Sequence, residues 1–246
     1  MGSYSPPNKA LWLSSFDKPL SLIDLPIPEA TAGTVVVAGG AIMEAADVKV
    51  AETVIIGPSG GSFGGLAVEL ALTLGANVIA LGRSEGKQIA MKEKLSNHPR
   101  LSYVVTTGDT EADTAAILQA TPNGDGADVF NDWTPGSLKT APFLPAAVGA
   151  LKRQGRVVLS GGTPGHLEIP YHVLVHKDLK IMGKWMCERN TLKKLITMME
   201  SGNLKIGLGS GTALAVFSLE QHQEAVEHAA KNGAWRNYTV IAPNDH

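Results

Sequence analysis

The sequence predicts an α/β chain in which a doubly wound parallel sheet follows a small β segment. Three observations carry that expectation. From Thr53 onward, short β-branched runs alternate with longer helical stretches. A glycine-rich turn, GPSGGSFGG, stands at the first strand-to-helix junction of that series. The 246 residues are 44% hydrophobic and 18% charged, enough apolar material for a sizeable core in one large or two modest domains.

Residues 9–38 read as short strands, KALWLS, LSLIDL and TVVVA, separated by the turn formers of DKP and PIPEATAG. A boundary is expected near 40–52, giving a small N-terminal β segment over 1–40 and the wound domain over 41–246. The first unit of that domain is the strand ETVIIG, the glycine turn and the helix LAVELALTLGA; the second is NVIALG followed by EGKQIAMKEKL. Strands SYVVTT, ADVFND and GRVVLSGG come next, with TEADTAAILQAT and SLKTAPFLPAAVGAL as crossover helices, the latter strained by Pro142 and Pro145. Beyond them lie the strand DLKIMGKW and the helix NTLKKLITMMESG, whose Leu192, Leu195, Ile196 and Met199 share one face at helical spacing. Ser218 and Gln221 form an S-x-x-Q pattern that starts a last helix, and NYTVIAP closes the chain as a strand. The whole is a Rossmann-type arrangement.

Composition removes several function classes. A net charge of -2 with scattered Lys and Arg gives no footprint for a nucleic-acid backbone. The single cysteine, Cys187, excludes an internal disulfide framework and cysteine-rich metal sites, and reads as a small buried hydrophobe. No apolar run approaches the roughly 20 residues that span a bilayer. The opening MGSYSPPNKA has no apolar signal core, and Pro6 breaks the myristoylation pattern, so a cytoplasmic protein without a membrane partner is expected.

A glycine-rich turn between strand and helix presents backbone N–H groups and the positive end of a helix dipole to a pyrophosphate. The expected contacts are Ser59, Gly60, Gly61, Ser62, Phe63 and Gly64; the alternative is a tight turn that packs helix on sheet without ligand. About 20 residues on, where a carboxylate would hold a free ribose diol, stand Gly82, Arg83 and Ser84, with Lys87 one turn further. Cations and a hydroxyl there suit a 2′-phosphate, which favours NADP(H) over NAD(H), unless Arg83 is a solvated surface residue. Gly57 to Gly61 also satisfies G-x-S-x-G, which would make Ser59 a nucleophile with Asp128 or Asp132 and one of His166, His172 or His176. Only a β-rich segment of different character precedes Thr53, whereas the nucleophile elbow normally follows several sheet strands.

The turn GPSGGSFGG, the segments NVIALGRS, GRVVLSGG and KIMGKW, and the closing Phe217-Ser218-Leu219 resemble the medium-chain dehydrogenase/reductase superfamily, in its alcohol-dehydrogenase-like and quinone-reductase-like branches. The resemblance puts Gly61 and Gly64 at the second and third fingerprint glycines. It likens the opening KALWLSSFDKPLSLIDLPIPEATAGTVVV to the first strands of a GroES-like catalytic domain, most of which, with all its zinc ligands, is then missing. It implies a zinc-independent, NADP(H)-dependent oxidoreductase on a small carbonyl or enone, with no metal. The resemblance also implies a homodimer, paired around LKIMGKW. Loops at the carboxyl ends of strands add Thr107, Asn131, Ser160, Gly161 and Gly162 as cofactor contacts. Asp132 and Trp133 are expected on the substrate side, with Trp133 either stacking or covering the sheet end. Tyr171 or His172 is a candidate general acid. His98, His222 and His228 read as surface residues. The missing wall leaves two alternatives: a non-redox isomerase or cyclase of secondary metabolism, or an NADPH-binding regulatory protein.

Overall fold

The computed structural model describes residues 9–12, 21–24 and 33–242. The chain forms two compact units, one over Gly33–Ile206 and one from Met1–Ala32 with Gly207–His246. Among the described residues no helix is long and apolar enough to cross a membrane.

The larger unit is built on six parallel strands: β3 (Thr53–Gly57), β4 (Asn77–Gly82), β5 (Leu101–Val105), β6 (Ala127–Asp132), β7 (Leu151–Leu159) and β8 (Lys180–Gly183). Their spatial order is β5-β4-β3-β6-β7-β8, so the winding reverses between β3 and β6, where Gly57 stands opposite Asp132. The central strands read as continuous apolar runs because both faces are covered, and every residue of β3 is buried. Alternation divides them. Ile55, Ile79, Leu81, Phe130 and Val157 face a core closed by Ile117 of α4 (Thr110–Ala120) and by Leu144 and Val148 of α5 (Leu144–Gly149). Val54, Ile56, Val78 and Ala80 are left to the opposite face, against α2 (Ser62–Thr73). That helix is buried continuously from Gly64 to Leu72, as an apolar central helix must be.

Several sequence expectations are corrected. TVVVA is not a strand but α1 (Gly33–Gly39), which runs on as a π-helical segment over Gly40–Ala45. Its valines favour a strand locally, but packing decides, since Ala38, Ala41 and Ile42 are fully buried. An added Cβ at Gly40 would stand 2.7 Å from the Met186 carbonyl carbon and 2.9 Å from the Cys187 nitrogen, so only glycine permits this approach. The Cys187 N–H donates to Val36 O at 3.0 Å. An ion pair of 2.7 Å joins Lys184 to Glu44, whose Oε1 also accepts from the Glu188 N–H at 2.8 Å.

The helix expected over SLKTAPFLPAAVGAL contracts to α5, with Pro145 in its first turn, where its missing N–H has no helical partner to lose. In α7 (Arg189–Glu200) Leu195 is buried but Ile196 is exposed, so the apolar face is narrower than the spacing suggests. The short α6 (Tyr171–His176) precedes β8.

In the smaller unit β1 (Lys9–Trp12) pairs antiparallel with β2 (Ser21–Asp24). A second pair, β9 (Ala213–Ser218) and β10 (Asn237–Ala242), is parallel and joined through α8 (His222–Asn232). The closing strand, NYTVIA in the described residues, thus lies outside the six-stranded sheet. The last helix begins at His222 rather than Ser218, because FS belongs to β9; half of the expected capping pattern survives, with Gln221 Oε1 accepting from the Ser218 N–H at 3.1 Å. His228 is half-buried rather than fully exposed: its Nδ1 lies 2.8 Å from Thr239 Oγ1 and its ring contacts Phe217.

The contact at Gly40 is testable. Gly40→Ala forces backbone against backbone and is expected to lower unfolding free energy by about 1–3 kcal/mol. Gly60→Ala, where an added Cβ meets nothing within 4 Å, should stay within about 0.5 kcal/mol of the parent. Urea midpoints at unchanged slope give both values.

Candidate functional site

The reversal between β3 and β6 opens a crevice at the carboxyl ends of the strands, the place where open α/β sheets bind ligands. On its β3 side the chain turns through Pro58–Gly61 into α2. Gly61 is the N-cap, extended at φ -86° and ψ 169°, and no side chain caps the helix. The first helical bond runs from the Gly65 N–H to Gly61 O at 2.9 Å. The N–H groups of Ser62, Phe63 and Gly64 have no partner among the described residues. Cβ atoms added at Gly60 or Gly61 meet nothing within 4 Å, so the space over these donors is open. A Cβ at Gly64 would lie 2.0 Å from Pro58 O, which makes glycine obligatory where helix meets turn. Open space, unpartnered donors and a dipole end together fit a dinucleotide pyrophosphate.

Ser59 points the other way. It is fully buried, its Oγ donating to Leu81 O at 3.0 Å and accepting from Gln88 Nε2 at 3.0 Å. A nucleophile elbow must expose that hydroxyl to a histidine, so the hydrolase expectation is overturned. Beyond β4, Arg83, Ser84 and Lys87 are exposed around the start of α3 (Glu85–Lys94). Their side chains form no hydrogen bond or ion pair with another described residue, so both cations and the hydroxyl are available to a ligand. Thr107 is engaged: its Oγ1 donates to Asp113 Oδ1 at 2.9 Å, and its N–H bonds the same oxygen at 2.8 Å, anchoring the start of α4.

On the β6 side the Trp133 N–H donates to Gly57 O at 2.8 Å, bringing the loop after β6 against the turn. Trp133 is only 6% exposed and stacks at 5.8 Å and 11° on Phe63, which is 45% exposed. The indole therefore covers the sheet end, and Phe63 offers the open ring. Asp132 is buried as well. Burial pushes its carboxyl above the usual range, opposed by hydrogen bonds from Thr134, whose Oγ1 donates to Asp132 Oδ1 at 2.7 Å. Gly161 must be glycine, since a Cβ there would stand 2.4 Å from Thr134 O, and the Gly162 N–H donates to that oxygen at 2.8 Å. Asn131 Oδ1, Trp133 Nε1 and Ser160 Oγ are buried polar atoms without a hydrogen-bond partner among the described residues, gathered at the ends of two adjacent strands.

The turn at 59–64 thus meets Asn131–Trp133, and the latter meets Ser160–Gly162. Tyr171 and His172 are not brought in by any hydrogen bond: both side chains are exposed on α6. Just beyond that helix, Lys177 Nζ donates to Gly149 O and Leu151 O, at the amino end of β7. Sequence reasoning missed Gln88 and Thr134. Gln88 carried one signal, a polar residue three positions before Met91 on the inward face of α3.

The zinc-binding dehydrogenase family profile matches residues 63–201, more than half of the chain. The chain belongs to this family, within the medium-chain dehydrogenase/reductase superfamily. No curated protein matches it. Among solved structures, AibC is 24% identical with a TM-score of 0.67, the match covering 90% of this chain and 59% of that one. The alcohol dehydrogenase of Aeropyrum pernix is 22% identical with a TM-score of 0.65, covering 91% and 62%. The 2-octenoyl-CoA carboxylase reductase CinF, in complex with NADP and 2-octenoyl-CoA, is 19% identical with a TM-score of 0.61, covering 86% and 49%. These likenesses establish the fold, and the chain spans about half to three-fifths of each relative's length. Despite the family's description, no group of three His, Cys, Asp or Glu among the described residues is placed to hold a metal ion, so those residues do not fit a zinc site.

Burial of Asp132 has a pH consequence. A raised native pKa means that the folded state holds this proton more tightly than the unfolded chain does, so its contribution to stability is lost as pH rises from the unfolded value of about 3.9 through the native one. Asp132→Asn, which cannot ionise, should gain on the parent protein as pH increases over that interval. Urea unfolding at a series of pH values measures the difference, and equal pH slopes for the two proteins would contradict the assignment.

Proposed function

We propose that the chain is a zinc-independent, NADP(H)-dependent oxidoreductase acting on a small carbonyl or enone compound. The observation that carries this reading is the uncapped start of α2 beneath open space, with Arg83, Ser84 and Lys87, whose side chains bond no other described residue, standing where a ribose-binding carboxylate would otherwise be. The N–H groups of Ser62, Phe63 and Gly64 would hold the pyrophosphate, and Arg83, Lys87 and Ser84 the 2′-phosphate through charge-assisted hydrogen bonds. Asn131 Oδ1 and Ser160 Oγ, buried and unpartnered, suit a carboxamide at the other end of the crevice. The exposed ring of Phe63, backed by Trp133, gives a flat apolar surface that excludes water. When bound, the dinucleotide supplies the hydride; the protein's part is orientation and electrostatics. Chemistry of this kind needs no zinc ligand. The proposal includes a homodimer and a reducing, cytoplasmic setting.

A second reading is favoured by one observation: neither Tyr171 nor His172 is hydrogen-bonded into the crevice among the described residues, so the structure brings no general acid to it. On that reading the protein is a non-redox isomerase or cyclase, or an NADPH-binding regulator.

Calorimetric titration with NADPH and NADH tests the proposal. Tighter binding of NADPH is expected, and Arg83→Ala should weaken it about tenfold or more, the scale of a hydrogen bond to a charged group, with little change for NADH. NADPH consumption in a carbonyl and enone screen would then separate an oxidoreductase from a regulator. Binding of neither dinucleotide would remove the oxidoreductase reading.

A further inference from the structure

The geometry points to Gln88 as a positioning residue that acts through Ser59 to set the separation of the two phosphate anchors, and thereby the selection of NADPH over NADH. This rests on the dinucleotide reading above. Gln88 is only 3% exposed, although Lys87 and Ile89 on either side of it lie open to solvent. A polar side chain turned inward from such a helix needs a partner. It finds one 29 residues back in the chain, where its Nε2 donates to Ser59 Oγ at 3.0 Å.

Ser59 in turn is tied to β4 twice, since Leu81 O accepts from both its Oγ at 3.0 Å and its N–H at 2.9 Å. The Gln88 N–H donates to Ser84 O at 3.2 Å. Residues 81–84, which carry Arg83 and Ser84, are therefore clasped between the phosphate turn and α3. Gly82 is the opening through which the amide passes: a Cβ there would lie 1.9 Å from Gln88 Nε2. An apolar side chain of the same length could fill the space but could not donate to Ser59 Oγ. The amide adds a directional link between the turn that receives the pyrophosphate and the loop that receives the 2′-phosphate. NADPH engages both anchors and needs their spacing fixed; NADH engages only the first.

The test uses Gln88→Met, which keeps length and volume, Ser59→Ala, and the double variant. Each is titrated with NADPH and NADH and melted without ligand. Each single variant is expected to weaken NADPH about fivefold more than NADH, the size of one neutral hydrogen bond. The double variant should be no worse than either single one, because both break the same link. A merely structural role would lower the melting temperature and weaken both dinucleotides alike, and that result, or additive losses, overturns the inference. If Gln88→Met does not fold, Ser59→Ala, which removes one oxygen, decides alone. Parent protein that binds neither dinucleotide overturns the cofactor reading and this inference together; parent protein that binds NADPH, with unchanged selectivity in the variants, overturns this inference only.

Discussion

The contact on which the site depends is the one between Gly64 and the carbonyl of Pro58. A side chain at position 64 would place its Cβ 2.0 Å from that oxygen, so glycine alone lets α2 start directly against the turn that leaves β3. Because the helix begins there without a capping side chain, its first N–H groups open on the crevice rather than on a serine or aspartate of its own. The crevice is placed by topology, since β3 and β6 are neighbours whose connections leave in opposite directions.

Around this point the two sides of the crevice are built differently. The β4 side is exposed and cationic, with Arg83 and Lys87 bonded to no other described residue. The β6 and β7 side is closed and polar, with Asp132 turned onto Thr134 and three buried polar atoms lacking partners among the described residues. Such atoms cost free energy in a folded chain unless a ligand or water satisfies them, so their clustering at two strand ends marks the place where recognition would be specific. Phe63 and Trp133 bridge the sides, one ring open and the other covered.

Much of this was legible in the sequence. Each strand of the six-stranded sheet overlaps a short apolar segment set off by turn formers, clearest in the β-branched runs of β3 and β4, and the glycine turn stands where β3 meets α2. TVVVA misled because β-branched residues bias a strand only weakly, and the burial of Ala38, Ala41 and Ile42 outweighs that bias. Phe217 and Ser218 misled for the opposite reason: the capping pattern is real, but pairing with β10 extends β9 through Ser218 before the helix can start. Trp133, Asp132 and Thr107 lie where the loops were expected. Their side chains contact Phe63, Thr134 and Asp113 respectively, partners that no local pattern in the sequence indicates.

The sequence by itself determined the strand order's raw material, the glycine turn and the cationic loop after β4, because these depend on local periodicity and on residues whose backbone freedom or charge is intrinsic. Tertiary structure alone decided that Ser59 is buried and bound to Gln88, that α1 is a helix, and that Tyr171 and His172 stay exposed. The physical reason is the same in each case. A hydrogen bond across 29 residues, or a helix fitted against the backbone of Met186 and Cys187, exists only once distant segments are packed, and no local pattern encodes the partner.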